Sequence, residues 1–317
     1  MTPRVLILGT GALACFFGAR LGRSGRAQVT LAGTWIEAIG TIRARGITVL
    51  EDGGPWQARV EALSLTEPLP QADLVLVLVK STQTARVAPL SARALGPDGL
   101  VVTLQNGLGN AAILAAATGA DRLAQGVAFC GATLLAPGRV RAFPGRVVLG
   151  AAGPASGRLP DLARLLASSG LVAEIADDLT PHLWRKLAAN CAINPLSALL
   201  HVPNGALLAD PESRSLLEAA AREVAEVARA KSIDVGPDVV AATVEVARHT
   251  AQNRSSMLQD IEGGRPTEIE VMNGAVVSEG QALGVPTPVN AWLLERVRGL
   301  TAGRLAEGAT PLLVSQP

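Results

Sequence analysis

A polar stripe interrupts an otherwise apolar stretch of the chain, 185-RKLAANCAINPLSALL-200. Lys186, Asn190 and Asn194 stand four residues apart, so on a helix their side chains would follow one face. Lysine and carboxamide side chains are costly to bury unless hydrogen-bond partners accompany them. The positions between them are almost all apolar and leave little polar surface for a solvated helix. We therefore expect the stripe to line a cleft rather than to face bulk water.

These three side chains have the chemistry needed to reduce a ketone. Negative charge develops on the oxygen of a ketone that accepts hydride, and a nearby cation or acid stabilises it. Lys186 is a charged donor, and each asparagine offers an amide donor and acceptor that can hold the rest of a substrate. The stripe extends about 12 Å along a helix, which suits a small organic acid. Pro195 is expected to bend or end the helix just beyond Asn194.

Carboxylates and hydroxyls cluster again downstream, in 253-NRSSMLQDIEGGRPTEIEVMNGAVV-277. Glu268 and Glu270 are two residues apart, so they would not share a helix face and form a poor acid–base pair. The Pro-Thr-Glu run that ends at Glu268 is typical of a helix start, where a glutamate complements the helix dipole. The serine pair that ends at Ser256 could cap a helix, and Asp260 could be a surface charge. Taken alone, these patterns favour structural roles.

A glycine-rich turn near the N-terminus, GTGALA at residues 9–14, has the sequence needed to bind a dinucleotide. Gly9 permits a tight turn, and Gly11 allows the backbone to approach a pyrophosphate whose charge favours the helix N-terminus. A purely structural turn would have the same sequence, but the strand before it, the helix after it and a second strand favour the nucleotide site. The expected cofactor contacts here are Gly9, Gly11, Ala12, Leu13 and Ala14.

The end of the second strand normally distinguishes NAD from NADP. An acidic residue there holds the ribose 2′-hydroxyl, whereas a basic residue binds a 2′-phosphate. The chain reads LAGTW at residues 31–35 and offers neither. Thr34 could hydrogen-bond to either cofactor, so this position leaves both open.

Two more polar patches follow predicted strands, at the edge where open α/β sheets bind ligands. The first, KSTQ at residues 80–83, is better explained on its own as a solvated helix start. The second, QNGLGN at residues 105–110, could equally be a turn or a binding loop, because Asn-Gly is common in turns.

Alternating strands and helices organise the first half of the chain. The apolar runs 74-LVLVLV-79 and 100-LVVTL-104 suit strands buried on both faces of a parallel sheet. The pieces 139-RVRAF-143 and 146-RVVLG-150 are expected to be antiparallel additions to it. From Thr180-Pro181 onward the pattern is helical.

We predict an α/β fold with a Rossmann-type, mostly parallel sheet followed by an all-helical C-terminal domain. Residues 1–178 would form the dinucleotide-binding domain, and residues 179–317 the substrate and catalytic domain. The tail after Gly308 is expected to be frayed.

The composition argues against several classes of partner and site. Twenty-eight basic and 27 acidic residues give a formal charge of +1, which provides no electrostatic reason to expect nucleic acid or an anionic membrane surface. Three cysteines and three histidines are scattered, which favours a reducing compartment and no metal site. No signal-peptide core or spanning segment is evident. We therefore expect a cytoplasmic protein, and its apolar helical domain could support a homodimer.

The chain resembles the ketopantoate reductase (2-dehydropantoate 2-reductase) family over essentially its full length. The resemblance rests on GTGALACFFGARL, VKSTQT, LQNGLGN, KLAANCAINPLSAL and SSMLQDIEGGRPTEIEVMNG, in the family's order and separation. It implies a Rossmann-type domain, a helical domain, and NADPH-dependent reduction of 2-dehydropantoate to (R)-pantoate on the route to pantothenate and coenzyme A.

The resemblance also assigns roles by position. Lys186 corresponds to the family's catalytic lysine, and Glu268 to the carboxylate partnered with it and with the substrate. Asn106 corresponds to the asparagine near the nicotinamide and the substrate, and Ser256 to the serine that binds the substrate carboxylate. These assignments replace the structural interpretations given above for Lys80, Ser256 and Glu268. The implied substrate-binding residues are Asn106, Asn190, Asn194 and Ser256, and the implied cofactor residues beyond the glycine-rich turn are Thr34, Lys80, Gln83 and Asn106.

Two positions depart from the family pattern. Thr34 stands where many relatives carry a basic residue that binds the 2′-phosphate, so the expected cofactor is NADP with NAD not excluded. Lys80 or Arg43 could supply the missing charge. Ala14 replaces the more usual third glycine of the turn.

Two alternatives to ketopantoate reduction stay open. One is a paralogue that reduces another 2-keto acid, because pocket shape separates similar apolar substituents only weakly. The other is a non-catalytic dinucleotide-binding sensor on a Rossmann scaffold. The complete set of lysine, asparagines, serine and glutamate argues against the sensor, which would need no site for a hydride acceptor.

Overall fold

The computed structural model describes residues 2–143 and 145–303. The tail after Gly308, which was expected to be frayed, lies outside these residues. The chain divides into two compact units. The first contains the chain up to Gln105 and Gly109–Leu179, and the second contains Asn106–Leu108 and the chain from Thr180 onward. Three residues of the LQNGLGN segment therefore belong to the helical unit.

The first unit alternates strands with helices. Over the described residues its strands are β1 (Arg4–Leu8), β2 (Gln28–Gly33), β3 (Ile47–Glu51), β4 (Gly54–Ala58), β5 (Glu61–Ser64), β6 (Ala72–Val77), β7 (Leu95–Thr103), β8 (Leu123–Ala128), β9 (Gly131–Ala136), β10 (Arg139–Phe143), β11 (Arg146–Gly150) and β12 (Val172–Ile175). Its helices are α1 (Ala12–Ser24), α2 (Ile36–Arg45), α3 (Thr84–Ala94), α4 (Asn110–Thr118) and α5 (Leu159–Ser168).

The main sheet has the strand order β12-β11-β8-β7-β6-β1-β2-β5. Its neighbours are parallel except for β8 and β11, which are antiparallel. The chain builds outward from β1 through β2 to β5, then returns to β6 on the other side of β1. Ligands of such sheets bind outside the carboxyl ends of the strands where the order reverses. The predicted Rossmann-type, mostly parallel sheet is confirmed, and its reversal point lies between β1 and β6.

A second sheet, with the order β4-β3-β10-β9, packs on the other side of α1. The helix is enclosed by both sheets, so the aromatic pair Phe16 and Phe17 is fully buried. The expected antiparallel addition is correct for β11, which pairs with β8. It is wrong for β10, which joins the second sheet, parallel to β3 and antiparallel to β9. Sheet membership depends on tertiary packing, which a five-residue strand pattern does not encode.

The second unit is a helical bundle in the part of the chain that the structure describes. Its helices are α6 (Thr180–Leu200), α7 (Pro211–Ala230), α8 (Val239–His249), α9 (Ser256–Glu262), α10 (Asn273–Leu283) and α11 (Pro288–Thr301). Helix α6 is central and packs against α7, α8, α9 and α11. None of the described helices is both long enough and apolar enough to cross a membrane.

Pro195 was expected to bend or end α6, and the second of these alternatives is wrong, because the helix continues to Leu200. A proline inside a helix removes one hydrogen bond and crowds the preceding turn. Pro195 and the five residues before it, from Asn190 onward, are almost entirely buried in the bundle. Packing on all sides therefore overrides the local preference.

Candidate active site

The predicted site residues are divided between the two units. The first unit holds the predicted cofactor residues Gly9, Gly11, Ala12, Leu13, Ala14, Thr34, Lys80 and Gln83. The second unit holds Asn106, Lys186, Asn190, Asn194, Ser256 and Glu268. The LQNGLGN segment is thus divided, and Asn106, which was predicted to contact both substrate and cofactor, lies in the second unit.

The glycine-rich turn joins the ends of three strands. The N–H of Gly9 donates to the carbonyl of Ala32 at 2.7 Å, and the φ of Gly9 is 135°. A Cβ on Gly9 would lie 2.9 Å from the carbonyl oxygen of Leu78, just after β6, so only glycine fits. Among the described residues, no side chain caps the N-terminus of α1, and its first turn carries no acidic residue. The N-cap residue Gly11 therefore offers no side-chain acceptor to the first N–H groups of this helix, which also have no intrahelical partner.

The end of β2 is closely packed, and the side chains of the residues around it are polar rather than basic. A Cβ on Gly33 would lie 2.6 Å from the hydroxyl oxygen of buried Thr10, so the strand end and the turn approach closely. Thr34 follows and is exposed. Strand β5 lies beside β2 with Ser64 opposite Gly33, and the N–H of Leu65 donates to the Gly33 carbonyl at 2.9 Å.

A carboxylate holds Arg43 at this edge of the sheet. Both oxygens of Glu67 accept from Nη2 of Arg43, at 2.8 and 2.7 Å, and Nε of Arg43 donates to the Ala62 carbonyl at 2.6 Å. Glu67 also accepts the Ser64 N–H at 2.7 Å. That backbone bond, with the guanidinium, lowers the pKa of Glu67. The positive charge of Arg43 is therefore paired with Glu67 at this edge of the sheet.

Asn106 lies in a loop that pairs with the segment carrying Glu268. The N–H of Leu108 donates to the carbonyl of Val271 at 2.8 Å. Gly107 has a φ of 79°, and a Cβ there would lie 2.4 Å from the same carbonyl oxygen, so the loop passes directly over Val271. Val271 is three residues beyond Glu268, in a short 3₁₀ turn that Glu268 precedes. The fold thus brings Asn106 and Glu268 into neighbouring segments.

The polar stripe of α6 is partly enclosed. Lys186 and Asn190 are half-buried, and Asn194 is 8% exposed. The amide nitrogen of Asn194 lies 3.9 Å from Sδ of Met272, and its backbone carbonyl accepts from the Ser255 hydroxyl at 3.4 Å. The predicted cleft setting, rather than a solvated face, agrees with this burial.

The two adjacent serines have different roles: Ser255 caps helix α9, and Ser256 is a predicted substrate residue. The hydroxyl of Ser255 accepts the Leu258 N–H at 3.1 Å and so caps α9, as the pattern predicted. Ser256 is the first residue of α9 and is half-buried. Because Ser255 also contacts the Asn194 carbonyl, the start of α9 and the middle of α6 are adjacent.

The two glutamates of the downstream cluster have opposite settings. Glu268 is 5% exposed. Glu270 is exposed and forms a two-pronged ion pair with Arg298, with distances of 2.7 and 2.6 Å, and this pairing lowers the pKa of Glu270. Glu268 is therefore the carboxylate that can belong to a buried site, and the prediction that the two are a poor acid–base pair agrees with this divergence.

Two family models match most of the chain. The model described as ketopantoate reductase PanE/ApbA matches residues 5–154, and its C-terminal counterpart matches residues 178–301. This protein belongs to the ketopantoate reductase family.

Relatives of this ketopantoate reductase family member cover almost its whole length. A 2-dehydropantoate 2-reductase of Halobacterium salinarum is 37% identical over 302 residues, which are 93% of this chain and 98% of that protein. The crystal structure of a PanE/ApbA family ketopantoate reductase from Ralstonia eutropha JMP134 has a TM-score of 0.87 at 32% identity, covering 95% of this chain and 99% of that one. The ternary structure of D-mandelate dehydrogenase with NADH and anilino(oxo)acetate has a TM-score of 0.90 at 28% identity, with coverages of 95% and 99%.

These matches confirm the resemblance, the fold class and the enzyme class. The protein is an NAD(P)-dependent oxidoreductase of the 2-dehydropantoate 2-reductase type. The sensor alternative therefore has no support. Within the described residues, no group of histidine, cysteine and acidic side chains could hold a metal ion.

Sequence reasoning on this ketopantoate reductase missed a buried amide network in the first unit. Gln105 donates to the Val79 carbonyl and to the Thr84 hydroxyl, both at 2.9 Å, and accepts from Thr103 at 2.9 Å. The Thr84 hydroxyl donates in turn to Asn110 at 2.7 Å. The network ties the loop after β6, which carries Lys80 and Gln83, to the loop after β7. Three of its side chains, Thr84, Gln105 and Asn110, stand inside the motifs VKSTQT and LQNGLGN, so the signal was present in the sequence.

One earlier interpretation was wrong. Asp260 was taken as a surface charge, but it is 3% exposed. The Arg265 N–H donates to the Asp260 carbonyl at 2.8 Å, and the Arg265 guanidinium lies 3.2 Å from its carboxylate. The aspartate therefore closes the turn after α9, a role that its polar neighbours in the sequence did not indicate.

Proposed function

We propose that this protein reduces 2-dehydropantoate to (R)-pantoate with NADPH, as a step toward pantothenate and coenzyme A. In this proposal the first unit binds the dinucleotide and the second binds the keto acid and carries the catalytic residues. The observation that carries it is the partly enclosed Lys186–Asn190–Asn194 stripe, in the same unit as the buried Glu268. The 37% identity to a 2-dehydropantoate 2-reductase supports the choice of substrate.

Lys186 would act as the general acid. The bound nicotinamide would supply the hydride to C2 of the keto acid. The Lys186 ammonium would donate a hydrogen bond to the keto oxygen and then transfer a proton to the developing alkoxide, which yields the hydroxyl group. Solvent would return that proton to the lysine. Glu268 would orient the ammonium and accept a hydrogen bond from a substrate hydroxyl.

The remaining predicted residues would fix the substrate. Asn190 and Asn194 would hold it through their amides, and the hydroxyl of Ser256 would donate a hydrogen bond to the substrate carboxylate. Asn106, on the loop over Val271, would hold the substrate near the nicotinamide. Holding a substrate at fixed geometry lowers the entropic part of the barrier.

The glycine-rich turn supports the cofactor assignment. A pyrophosphate can approach the backbone at Gly9 and Gly11, and the N-terminus of α1 supplies N–H groups and a positive dipole end. Ala12, Leu13 and Ala14 complete this cradle. Lys80 and Gln83, after β6, would contact the cofactor from the other side of the reversal point, and Thr34 would face the adenosine ribose.

A second candidate is an NADH-dependent reductase of another 2-keto acid. Two observations favour it over NADPH: Thr34 is uncharged, and the guanidinium of Arg43 is paired with Glu67. A structural neighbour was solved with NADH and acts on D-mandelate by its name. The substrate and the cofactor must therefore be tested separately.

The experiment follows the oxidation of NADPH and NADH by absorbance, each with 2-dehydropantoate and with a panel of aryl and branched 2-keto acids. The proposal expects the highest kcat/KM for NADPH with 2-dehydropantoate. A higher value for NADH with another keto acid would favour the second candidate. The variant Lys186→Ala should lose orders of magnitude in kcat and keep its cofactor Kd, because the proposed role of the lysine is at the reacting oxygen and not in cofactor binding. Near-normal turnover of Lys186→Ala would remove the lysine from the mechanism.

A further inference from the structure

Pro195 leaves one backbone carbonyl of α6 without its usual donor. In an α-helix the carbonyl of residue i accepts the N–H of residue i+4. The residue four beyond Cys191 is Pro195, which has no N–H. Cys191 is fully buried, so bulk water cannot replace the missing donor. A buried carbonyl without a partner is costly, and a donor from elsewhere in the fold is expected.

Asn273 supplies that donor. Its amide nitrogen donates to the carbonyl of Cys191 at 3.0 Å, across 82 residues of sequence. Asn273 is fully buried and is the first residue of α10. Among the described residues, the amide oxygen of Asn273 has no hydrogen-bond partner. The donor function of this amide, rather than its acceptor function, is therefore what the packing uses.

A chain of hydrogen bonds holds Asn273 in place. Its amide nitrogen also donates to Oδ1 of Asn290 at 3.0 Å. Asn290 donates to Oε2 of Glu223 at 2.7 Å and to the Ala220 carbonyl at 3.1 Å. Glu223, on α7, accepts the N–H groups of Val289 and Asn290 at 2.8 and 2.9 Å, at the start of α11. The donor to α6 is thus anchored to two further helices.

The bond joins the two segments that carry the proposed catalytic groups. Cys191 lies between Asn190 and Asn194 on α6, and Asn273 follows Glu268 by five residues. A second contact joins the same segments, because the Asn194 amide nitrogen lies 3.9 Å from Met272 Sδ. In a regular helix the Cys191 carbonyl would be satisfied within α6. Pro195 makes it available to a neighbouring segment.

We propose that Asn273 is a positioning residue for the reductase reaction: its amide replaces the N–H that Pro195 removes from α6, and so fixes the Asn190–Asn194 part of the stripe relative to the segment that carries Glu268. Asn273 contacts the helix backbone rather than the substrate. This inference rests on the proposed function, since it assigns a role to the same site. A misplacement of about 1 Å at a reacting group can cost about 100-fold in rate, which is why a remote donor matters.

The test asks whether a restored backbone N–H at position 195 recovers the kcat lost when the Asn273 amide is removed. Asn273→Ala removes the donor and should lower kcat for the best keto acid by about 10- to 100-fold, with little change in cofactor Kd. Pro195→Ala restores an N–H that can donate to the Cys191 carbonyl within α6, and alone it should keep most of the wild-type kcat. In the double variant Pro195→Ala/Asn273→Ala, this N–H should recover most of the lost kcat. A double variant as slow as Asn273→Ala, or slower, would overturn the proposal.

A matched control separates positioning from general stability. Ser213→Ala removes another buried donor to a carbonyl, from the Ser213 hydroxyl to Leu207 at 2.8 Å, at a distance from the stripe in sequence. It should lower the melting temperature without lowering kcat. If Asn273→Ala likewise lowers only the melting temperature, Asn273 has a purely structural role and the proposal fails.

Amide hydrogen exchange tests the hydrogen bond from Asn273 to the Cys191 carbonyl without a measurement of catalysis. Exchange of the α6 amides from Asn190 to Ala198 should speed up in Asn273→Ala and slow again in the double variant. If the wild-type protein reduces no keto acid, the proposed function fails, while the exchange experiment still decides whether Asn273 fixes α6. If Asn273→Ala does not fold, Asn273→Ser, which keeps one shorter donor, is compared with and without Pro195→Ala. The same rescue is expected, and its absence overturns the proposal.

Discussion

The carboxylate of Glu223 should contribute measurably to the stability of the helical unit. It accepts three hydrogen bonds, from the N–H groups of Val289 and Asn290 and from the Asn290 amide, at 2.8, 2.9 and 2.7 Å. Glu223→Gln turns one acceptor oxygen into a donor, so the better amide orientation still loses the bond to Val289. A lost bond to a charged group costs about 1.5–3 kcal/mol. The lost negative charge at the start of α11 adds about 0.3–1 kcal/mol.

The expected loss of unfolding free energy is therefore about 2–4 kcal/mol, or about 5–15 °C in melting temperature for a unit of this size. The assay is thermal unfolding followed by far-ultraviolet circular dichroism at neutral pH. Glu226→Gln is the matched control, because Glu226 lies on the same helix and is exposed. It should change the stability by less than about 0.5 kcal/mol. Equal melting temperatures for the two variants would refute the claim that the buried carboxylate holds the start of α11.

Two further predictions concern the cofactor and an ion pair. Thr34→Arg should raise the ratio of kcat/KM for NADPH to kcat/KM for NADH by about 10- to 100-fold, because a guanidinium at the end of β2 can bind the 2′-phosphate. An unchanged ratio would mean that the end of β2 does not face the ribose. The pKa of Glu270 is lowered by Arg298, so its ionised form favours the folded state. Relative to Glu270→Gln, the wild type should be more stable at neutral pH. This difference should be lost as the pH falls from the ordinary glutamate value near 4.5 through the lower pKa of the carboxylate in the folded protein. Melting curves of both proteins between neutral and acidic pH test this, and a pH-independent difference would count against it.

Local sequence rules predicted the elements that depend on local chemistry. The glycine-rich turn, the helix α1 that follows it and the four-residue spacing of the stripe are all properties of short segments. The strand-helix alternation was enough to predict the mostly parallel sheet, because buried parallel strands have long apolar runs.

Long-range partners decided what the sequence could not predict. Pro195 stays inside a helix because packing and a donor from Asn273, far along the chain, replace what the proline removes. Strand β10 lies in the second sheet because β3 and β9 pair with it. Each of these outcomes depends on a partner that is distant in sequence or unmarked by any local pattern.

The division of the LQNGLGN segment has a practical consequence for dissecting the protein. A gene fragment that starts at Thr180 would encode every long helix of the second unit but omit Asn106–Leu108. The Val271 carbonyl would lose the Leu108 N–H, and the apolar cluster against which Leu108 packs would lose that side chain. Expression of the helical half alone is therefore expected to give a polypeptide with an altered turn next to Glu268. To examine that half in isolation, residues Asn106–Leu108 must be restored as a tethered or added peptide.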